Sequence, residues 1–282
     1  MQTDKPGEFL NRQMQIKDSA INSNTLVLMD LDDTTITSPE GQWLGHSDMF
    51  YYLLKREMAA HPEKSKTEVA EAIDPLLLEV YRRVPVILTD ETLPEVIERL
   101  KSHGVTVLGF TARGRENNEV TIEQLQRADI LFTDTGSSRF LAIGDKRSFR
   151  MEKGVVFVSH VNRKGETLVA LLKSGNLKKP RQVMLIDDRQ SHLDDMAKAL
   201  SDFDPAIDFQ PVLCTYLEDK RPFDAGESER QLLDFLYQWR GDDVFSQLIR
   251  KDPFTRSFIT RCERIPGVNS KSCRELQAII RA

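Results

Sequence analysis

"NTLVLMDLDDTTITS", residues 24–38, governs how the rest of the chain is read. Its apolar run, Leu26 to Met29, ends abruptly in three carboxylates, Asp30, Asp32 and Asp33. An uninterrupted apolar run of this kind is the pattern of a strand buried on both faces. Carboxylates clustered at its end repel one another, and a partly buried one is costly unless something positive compensates it. The cluster is either a solvated turn or a place that waits for a cation.

Outward from this stretch, short apolar runs alternate with helical patterns. "LPEVIERLKSHG" (93–104) is an amphipathic helix stopped by Gly104, and "VTVLGFT" (105–111) is the next strand. "EVTIEQLQRADI" reads as a helix, "GVVFVSHV" and "QVMLID" as strands with the helical "GETLVALLKSGN" between them, and "FQPVLCTYL" as one more strand. This alternation predicts an α/β fold, a doubly wound and mostly parallel sheet. Two regions break the rhythm. Residues 39–90 hold two helical patterns, "SDMFYYLLKREMAAH" and "SKTEVAEAIDPLLLEVYRRV", and read as a helical cap insertion. Residues 227–282 read as a helical C-terminal extension that could bind a partner protein, leaving 1–38 and 91–226 as the core. Residues 129–158 suggest turns and a hairpin, or a second cap.

Composition sets the outer bounds. The 282 residues carry 40% apolar and 29% charged side chains, an ordinary globular balance with length for a full core. A formal net charge of −5 argues against nucleic acid as a partner. No apolar stretch approaches membrane-spanning length, and the N-terminus lacks the apolar segment of a signal peptide. Three cysteines, Cys214, Cys262 and Cys273, give no disulfide framework, so the expected compartment is reducing and cytoplasmic, or reached by secretion without an N-terminal signal.

In a doubly wound sheet, ligands bind beyond the carboxyl ends of the strands. The residues expected there are Asp30 and Asp32 after "LVLM", Thr111 after "VLGF", Asp187 and Asp188 after "VMLI", and Lys164 at the start of a helix. Oxygen ligands from Asp30, Asp188 and the backbone near Asp32 suit a hard cation, and Mg²⁺ is the usual one beside phosphate. A carboxylate can attack phosphorus, a second one two residues on can protonate the leaving alcohol and then activate water, and a hydroxyl and an ammonium can hold phosphoryl oxygens. Arg113, Arg115 and Arg189 lie near this rim as candidates to grip a substrate anion, Arg113 foremost.

"DLDDT" after an apolar strand, Thr111 after a second, Lys164 before a helix and "DD" after a last strand resemble, in order, the four motifs of the haloacid dehalogenase (HAD) superfamily. The resemblance spans residues 26 to about 195. It implies a Rossmann-like core and Mg²⁺-dependent phosphoryl transfer. Asp30 resembles the nucleophile, Asp32 the general acid/base, Thr111 and Lys164 the phosphate binders, and Asp187 with Asp188 the metal end, Asp188 being the expected direct ligand. Thr34 resembles the residue that supports the loop and positions Asp32. In that superfamily an acidic residue at the position of Asp32 marks phosphatases and phosphomutases rather than dehalogenases, and a phosphomutase is the weaker reading of the two. "SPEGQWLGHSDMFYYLL" (38–54) is similar to a bacterial branch that includes protein-tyrosine phosphatases.

The expected activity is therefore phosphomonoester hydrolysis through an aspartyl-phosphate intermediate, on a phosphoprotein or on a small molecule such as a sugar phosphate or nucleotide. A non-catalytic scaffold that binds a partner protein is the alternative from another class. A receiver domain fails on order, because no strand-ending Asp falls between Asp32 and Thr111. Asp33 reads as a turn residue, His160 and His192 as hydrogen-bonded rather than metal-ligating, and Trp43, Phe50 and Trp239 as packing.

Overall fold

The computed structural model describes residues 1–15, 21–136, 138–144, 147–159, 162–218 and 222–281. The strands are β1 (Gln2–Thr3), β2 (Thr25–Met29), β3 (Ile36–Thr37), β4 (Ile87–Leu88), β5 (Thr106–Thr111), β6 (Arg139–Ile143), β7 (Arg147–Glu152), β8 (Val155–Phe157), β9 (Gln182–Asp187) and β10 (Asp208–Cys214). The α-helices are α1 (Pro6–Gln15), α2 (Ser47–Ala60), α3 (Lys66–Arg83), α4 (Leu93–Ser102), α5 (Asn118–Arg127), α6 (Lys164–Lys173), α7 (Gln190–Phe203), α8 (Ala225–Trp239), α9 (Asp243–Lys251), α10 (Pro253–Thr260) and α11 (Ser270–Arg281).

Two compact units divide these elements. The first comprises Met1–Thr37 and Val86–Arg221 and contains one eight-stranded sheet in the order β1-β10-β9-β2-β5-β8-β7-β6. Strands β1, β10, β9, β2, β5 and β8 run parallel, while β7 and β6 continue the sheet as an antiparallel hairpin. Strands β6, β7 and β8 thus extend the sheet rather than forming a second cap. The apolar run of β2 is continuous because both of its faces are covered. Val27 and Met29 join Phe9, Leu10, Leu93, Val96 and Ile97 on one side. Leu26 and Leu28 join Leu168, Leu171, Leu193 and Met196 on the other. Helices therefore sit on both faces of a mostly parallel sheet, the α/β architecture expected from the alternation of patterns, and this fits a Rossmann-like fold.

The second unit comprises Ser38–Pro85 and Pro222–Ala282. The insertion and the tail, expected as separate pieces with boundaries at 39, 90 and 227, are one helical body. Buried Phe50 and Leu53 of α2, Ile73 and Leu76 of α3, Leu232 and Leu236 of α8 and Phe258 of α10 supply its core. Polar ties cross from one segment to the other: Arg261 Nη2 donates to Glu57 Oε1 at 2.6 Å, and Gln231 Oε1 accepts from Trp43 N at 2.7 Å. Periodicity reveals an apolar stripe but not which stripe covers it, so two segments 137 residues apart (85 to 222) could not be matched from sequence. Trp43, Phe50 and Trp239 pack as expected, Trp239 stacked on Phe245 with ring centroids 6.2 Å apart.

The cysteines overturn an expectation. Cys262 and Cys273 are buried and form a disulfide, with Cα atoms 5.8 Å apart, while Cys214 is a buried free thiol. An 11-residue separation gave no recognisable spacing signal, but the turn before α11 folds the chain back on itself. Closing a loop of this length contributes about 3 kcal/mol by restricting the unfolded chain. We expect reduction, or paired Cys262→Ala and Cys273→Ala substitution, to lower stability by about that amount. Denaturant titration reads the loss, and thiol alkylation of the unfolded, unreduced protein should modify Cys214 alone. Among the described residues no helix is long and apolar enough to cross a membrane.

Candidate active site

Adjacent parallel strands β9, β2 and β5 end side by side, and their tips bring together residues far apart in sequence. Asp187 closes β9 and Asp188 follows it, Asp30 follows β2, and Thr111 closes β5. The Asp30 N–H donates to the Ile186 carbonyl at 2.9 Å, so the first carboxylate is placed by the sheet ladder itself. Beyond it the backbone turns sharply: Asp33 has φ 62° and is buried, with its N–H on the Ile36 carbonyl and its Oδ1 accepting from Thr37. Asp33 is the turn residue the sequence suggested. Support for the loop comes from Thr35 rather than from Thr34, since the Thr35 hydroxyl donates to the Asp30 carbonyl at 2.6 Å. The Thr34 carbonyl accepts from the Thr89 hydroxyl at 2.5 Å.

Lys164, the first residue of α6, enters the same place. Its ammonium donates to Asp30 Oδ1 and to Asp187 Oδ2, each at 2.6 Å, and its side chain is only 2% exposed. Close packing beneath it sets this reach, because a Cβ on the next residue, Gly165, would stand 2.6 Å from both the Ala199 Cβ and the Asp195 carbonyl oxygen. Only glycine lets α6 approach α7 so closely at this point. The Gly165 N–H also donates to Asp195 Oδ2 at 2.8 Å, which fixes the start of α6.

Asp30, Asp187 and Asp188 each offer one carboxylate oxygen, and these oxygens all lie within 4.8 Å of one another. This group could hold a metal ion. One buried ammonium pairs with two of these three carboxylates, Asp30 and Asp187, and the imbalance appears in their acidities. Burial, with Asp187 and Asp32 nearby, raises Asp30 to about 6 despite the attraction of Lys164. Burial, with Asp30 and Asp187 beside it, pushes Asp188 up to about 9. Asp187 is buried as well, but Lys164 and His192 outweigh that penalty and hold it at about 2. Burial works against the charge on Lys164, yet Asp187 and Asp30 raise its pKa above the ordinary lysine range. A donor set this short of positive charge fits a hard cation. Both oxygens of Asp187 are engaged, Oδ2 by Lys164 and Oδ1 by the Arg189 N–H at 3.0 Å and His192 Nδ1 at 2.9 Å. The cationic neighbour of Asp188 is the Arg189 guanidinium, at 3.7 Å. Asp188 is thus the better placed of the pair to meet a metal directly.

The remaining expected residues divide. Thr111 is fully buried, and its hydroxyl oxygen accepts from the Arg113 N–H at 3.1 Å. Asp32 does not join the group of three carboxylates. It pairs instead with Arg113, whose Nε and Nη2 reach its carboxylate at 3.0 and 2.6 Å. Arg113 Nη1 donates to Thr121 Oγ1 at 3.0 Å and Gln124 Oε1 at 2.7 Å. The guanidinium of Arg113, the foremost candidate to grip a substrate anion, is engaged in this structure by Asp32, Thr121 and Gln124. Arg115 is occupied by Glu116 and Ser148. His192 is hydrogen-bonded as anticipated, while His160 lies outside the described residues. Sequence reading passed over Thr121 and Gln124. Their signal was two polar side chains set among the buried apolar residues Val120, Ile122 and Leu125 of one helix.

No curated protein matches the chain. The family model described as "Protein of unknown function (DUF2608)" matches residues 10–243, which include every residue placed in this site. With most of its length matched, the chain belongs to that family.

Proposed function

We propose that this protein is a Mg²⁺-dependent phosphatase that hydrolyses a phosphomonoester through an aspartyl-phosphate intermediate. One observation carries the reading: Asp30, at the tip of a central strand, is grouped with Asp187 and Asp188, and a single buried lysine pairs with Asp30 and Asp187. Such a group has a nucleophilic oxygen, a place for a cation and a fixed ammonium within a few ångströms. Bound by Asp30 and Asp188, with Asp187 behind them, Mg²⁺ would neutralise carboxylate charge and let an anionic phosphoryl group approach an anionic nucleophile.

The chain's own residues supply the remaining chemistry. An Asp30 carboxylate oxygen attacks phosphorus, the ester P–O bond breaks, and its electron pair stays with the leaving oxygen, which takes the proton that Asp32 carries at the start of the cycle. Asp32, now a carboxylate, takes a proton from water as the water oxygen attacks phosphorus. The P–O bond to Asp30 breaks, phosphate leaves, and Asp30 and Asp32 return to their starting states. Lys164 holds Asp30 in place and adds positive charge beside the transferring group, and the Thr111 hydroxyl donates to a phosphoryl oxygen.

The substrate is a phosphotyrosine protein or a small phosphomonoester such as a sugar phosphate or nucleotide. Pairing of Cys262 with Cys273 favours an exported protein over a cytoplasmic one, since disulfides persist in oxidising compartments. The test is phosphate release from an aryl phosphate, a phosphotyrosine peptide, a sugar phosphate and a nucleoside monophosphate, each with Mg²⁺ and with chelator. Metal-dependent release is expected, and the preferred substrate identifies the class. Absence of release from all four, with the protein folded and Mg²⁺ bound, would leave a non-catalytic scaffold as the better reading.

A further inference from the structure

We infer that Arg113 is a positioning residue for Asp32, and that α5 sets through it the direction in which Asp32 presents its carboxylate. This inference rests on the phosphatase reading above and names a residue that determines how leaving groups are served. The contact is a side-on pair: Nε lies 3.2 and 3.0 Å from the two Asp32 oxygens, and Nη2 lies 2.6 Å from Oδ1. Two parallel N–H donors fix the plane of a carboxylate, which a point charge cannot do.

Arg113 is itself held from three directions. Its backbone N–H donates to Thr111 Oγ1, tying it to the end of β5. Its Nη1 donates to Thr121 Oγ1 and Gln124 Oε1, two positions three residues apart that share one face of α5. The Arg113 side chain is 3% exposed against 22% for Asp32, so the arginine is buried framework while the carboxylate it holds still reaches the surface. A buried cation engaged by two residues of one helix and two oxygens of one carboxylate has little freedom to turn toward a substrate. A residue that has to give a proton to a departing oxygen and then take one from water needs a fixed direction, because small misplacements of a proton-transfer group cost large factors in rate.

Positioning of this kind leaves a signature that depends on the leaving group. An alkoxide needs a proton as the P–O bond breaks, whereas 4-nitrophenolate departs without one. In the Mg²⁺-loaded full chain, Arg113→Gln is expected to lower kcat/KM for an alkyl phosphate by about 10²-fold, and for 4-nitrophenyl phosphate by less than about fivefold. Inhibition by inorganic phosphate should not change. Asp32→Asn should show the same pattern, and adding Arg113→Gln to it should cause no further loss. Gln124→Leu, which leaves the arginine in place but removes one anchor, should show a weaker version and guards against misfolding of the first variant. Equal losses on both substrates with weakened phosphate inhibition would make Arg113 a substrate-gripping residue and overturn the inference. Equal losses with unchanged inhibition would overturn it too, in favour of a scaffold role. If the wild-type chain turns over neither substrate, the phosphatase reading itself fails and takes this one with it.

Discussion

Replacing Asp30 by Asn should abolish turnover and leave the protein at least as stable as before. Loss of the nucleophile removes the covalent route altogether, since an amide oxygen cannot form and release an aspartyl phosphate. A fall of at least about 10³-fold in kcat is expected. Stability should behave differently. Burial and the nearby carboxylates of Asp187 and Asp32 raise Asp30 to about 6, above its ordinary value of 3.8. A carboxyl whose pKa is raised in the folded state favours folding only while protonated, and that contribution is lost as the pH rises through the folded value. At pH 7 the charge at this position therefore works against the fold, and removing it relieves the site. Lys164 keeps Asp187 as a partner at 2.6 Å, so no buried cation is orphaned. Steady-state phosphate release and a melting curve at pH 7 in chelator check both halves. Residual turnover above a few per cent would exclude Asp30 as the nucleophile, and a large fall in melting temperature would show that its pairing with Lys164 outweighs the crowding.

The core of this fold was legible for a physical reason. A parallel strand covered on both faces writes its burial directly into sequence as an apolar run, and β2, β5, β8 and β9 all do so. Their order along the chain, with helices between, then leaves few topologies open. The rim residues followed, because a residue that ends such a strand has its position fixed by the strand. What the sequence left hidden depends on tertiary contacts that no local pattern encodes. The insertion and the tail share a core that no local period encodes. Cys262 and Cys273 meet through a turn with no marked spacing. Arg113 could be placed at the rim from its neighbour Thr111, but its direction depends on Thr121 and Gln124, and helical spacing gave no reason to connect those to an arginine before them. Thr34 and Thr35 show the same limit over one residue: a sharp turn with Asp33 at positive φ decides which hydroxyl faces the Asp30 carbonyl.

The same charge imbalance makes Lys164 the residue whose loss should cost the fold most. Its ammonium is the sole side-chain partner that donates to Asp30 among the described residues, and it lies equally close to Asp187. Lys164→Met keeps much of the side-chain volume and removes the charge. It leaves two buried carboxylates facing Asp188 with the imbalance increased, and breaking a buried ion pair by deleting one partner typically costs about 3–5 kcal/mol. Two further measurements separate this electrostatic cause from lost packing. Mg²⁺ should restore part of the stability of Lys164→Met and raise the melting temperature of that variant by more than that of the wild type, because a cation is worth more where an ammonium is missing. Combining Lys164→Met with Asp30→Asn should cost less than Lys164→Met alone, since the second change removes one of the charges the first left uncompensated. If the double variant is instead less stable than the single one, and Mg²⁺ makes no difference, the lysine acts by filling space, and the carboxylates of Asp30, Asp187 and Asp188 do not need a cation to coexist.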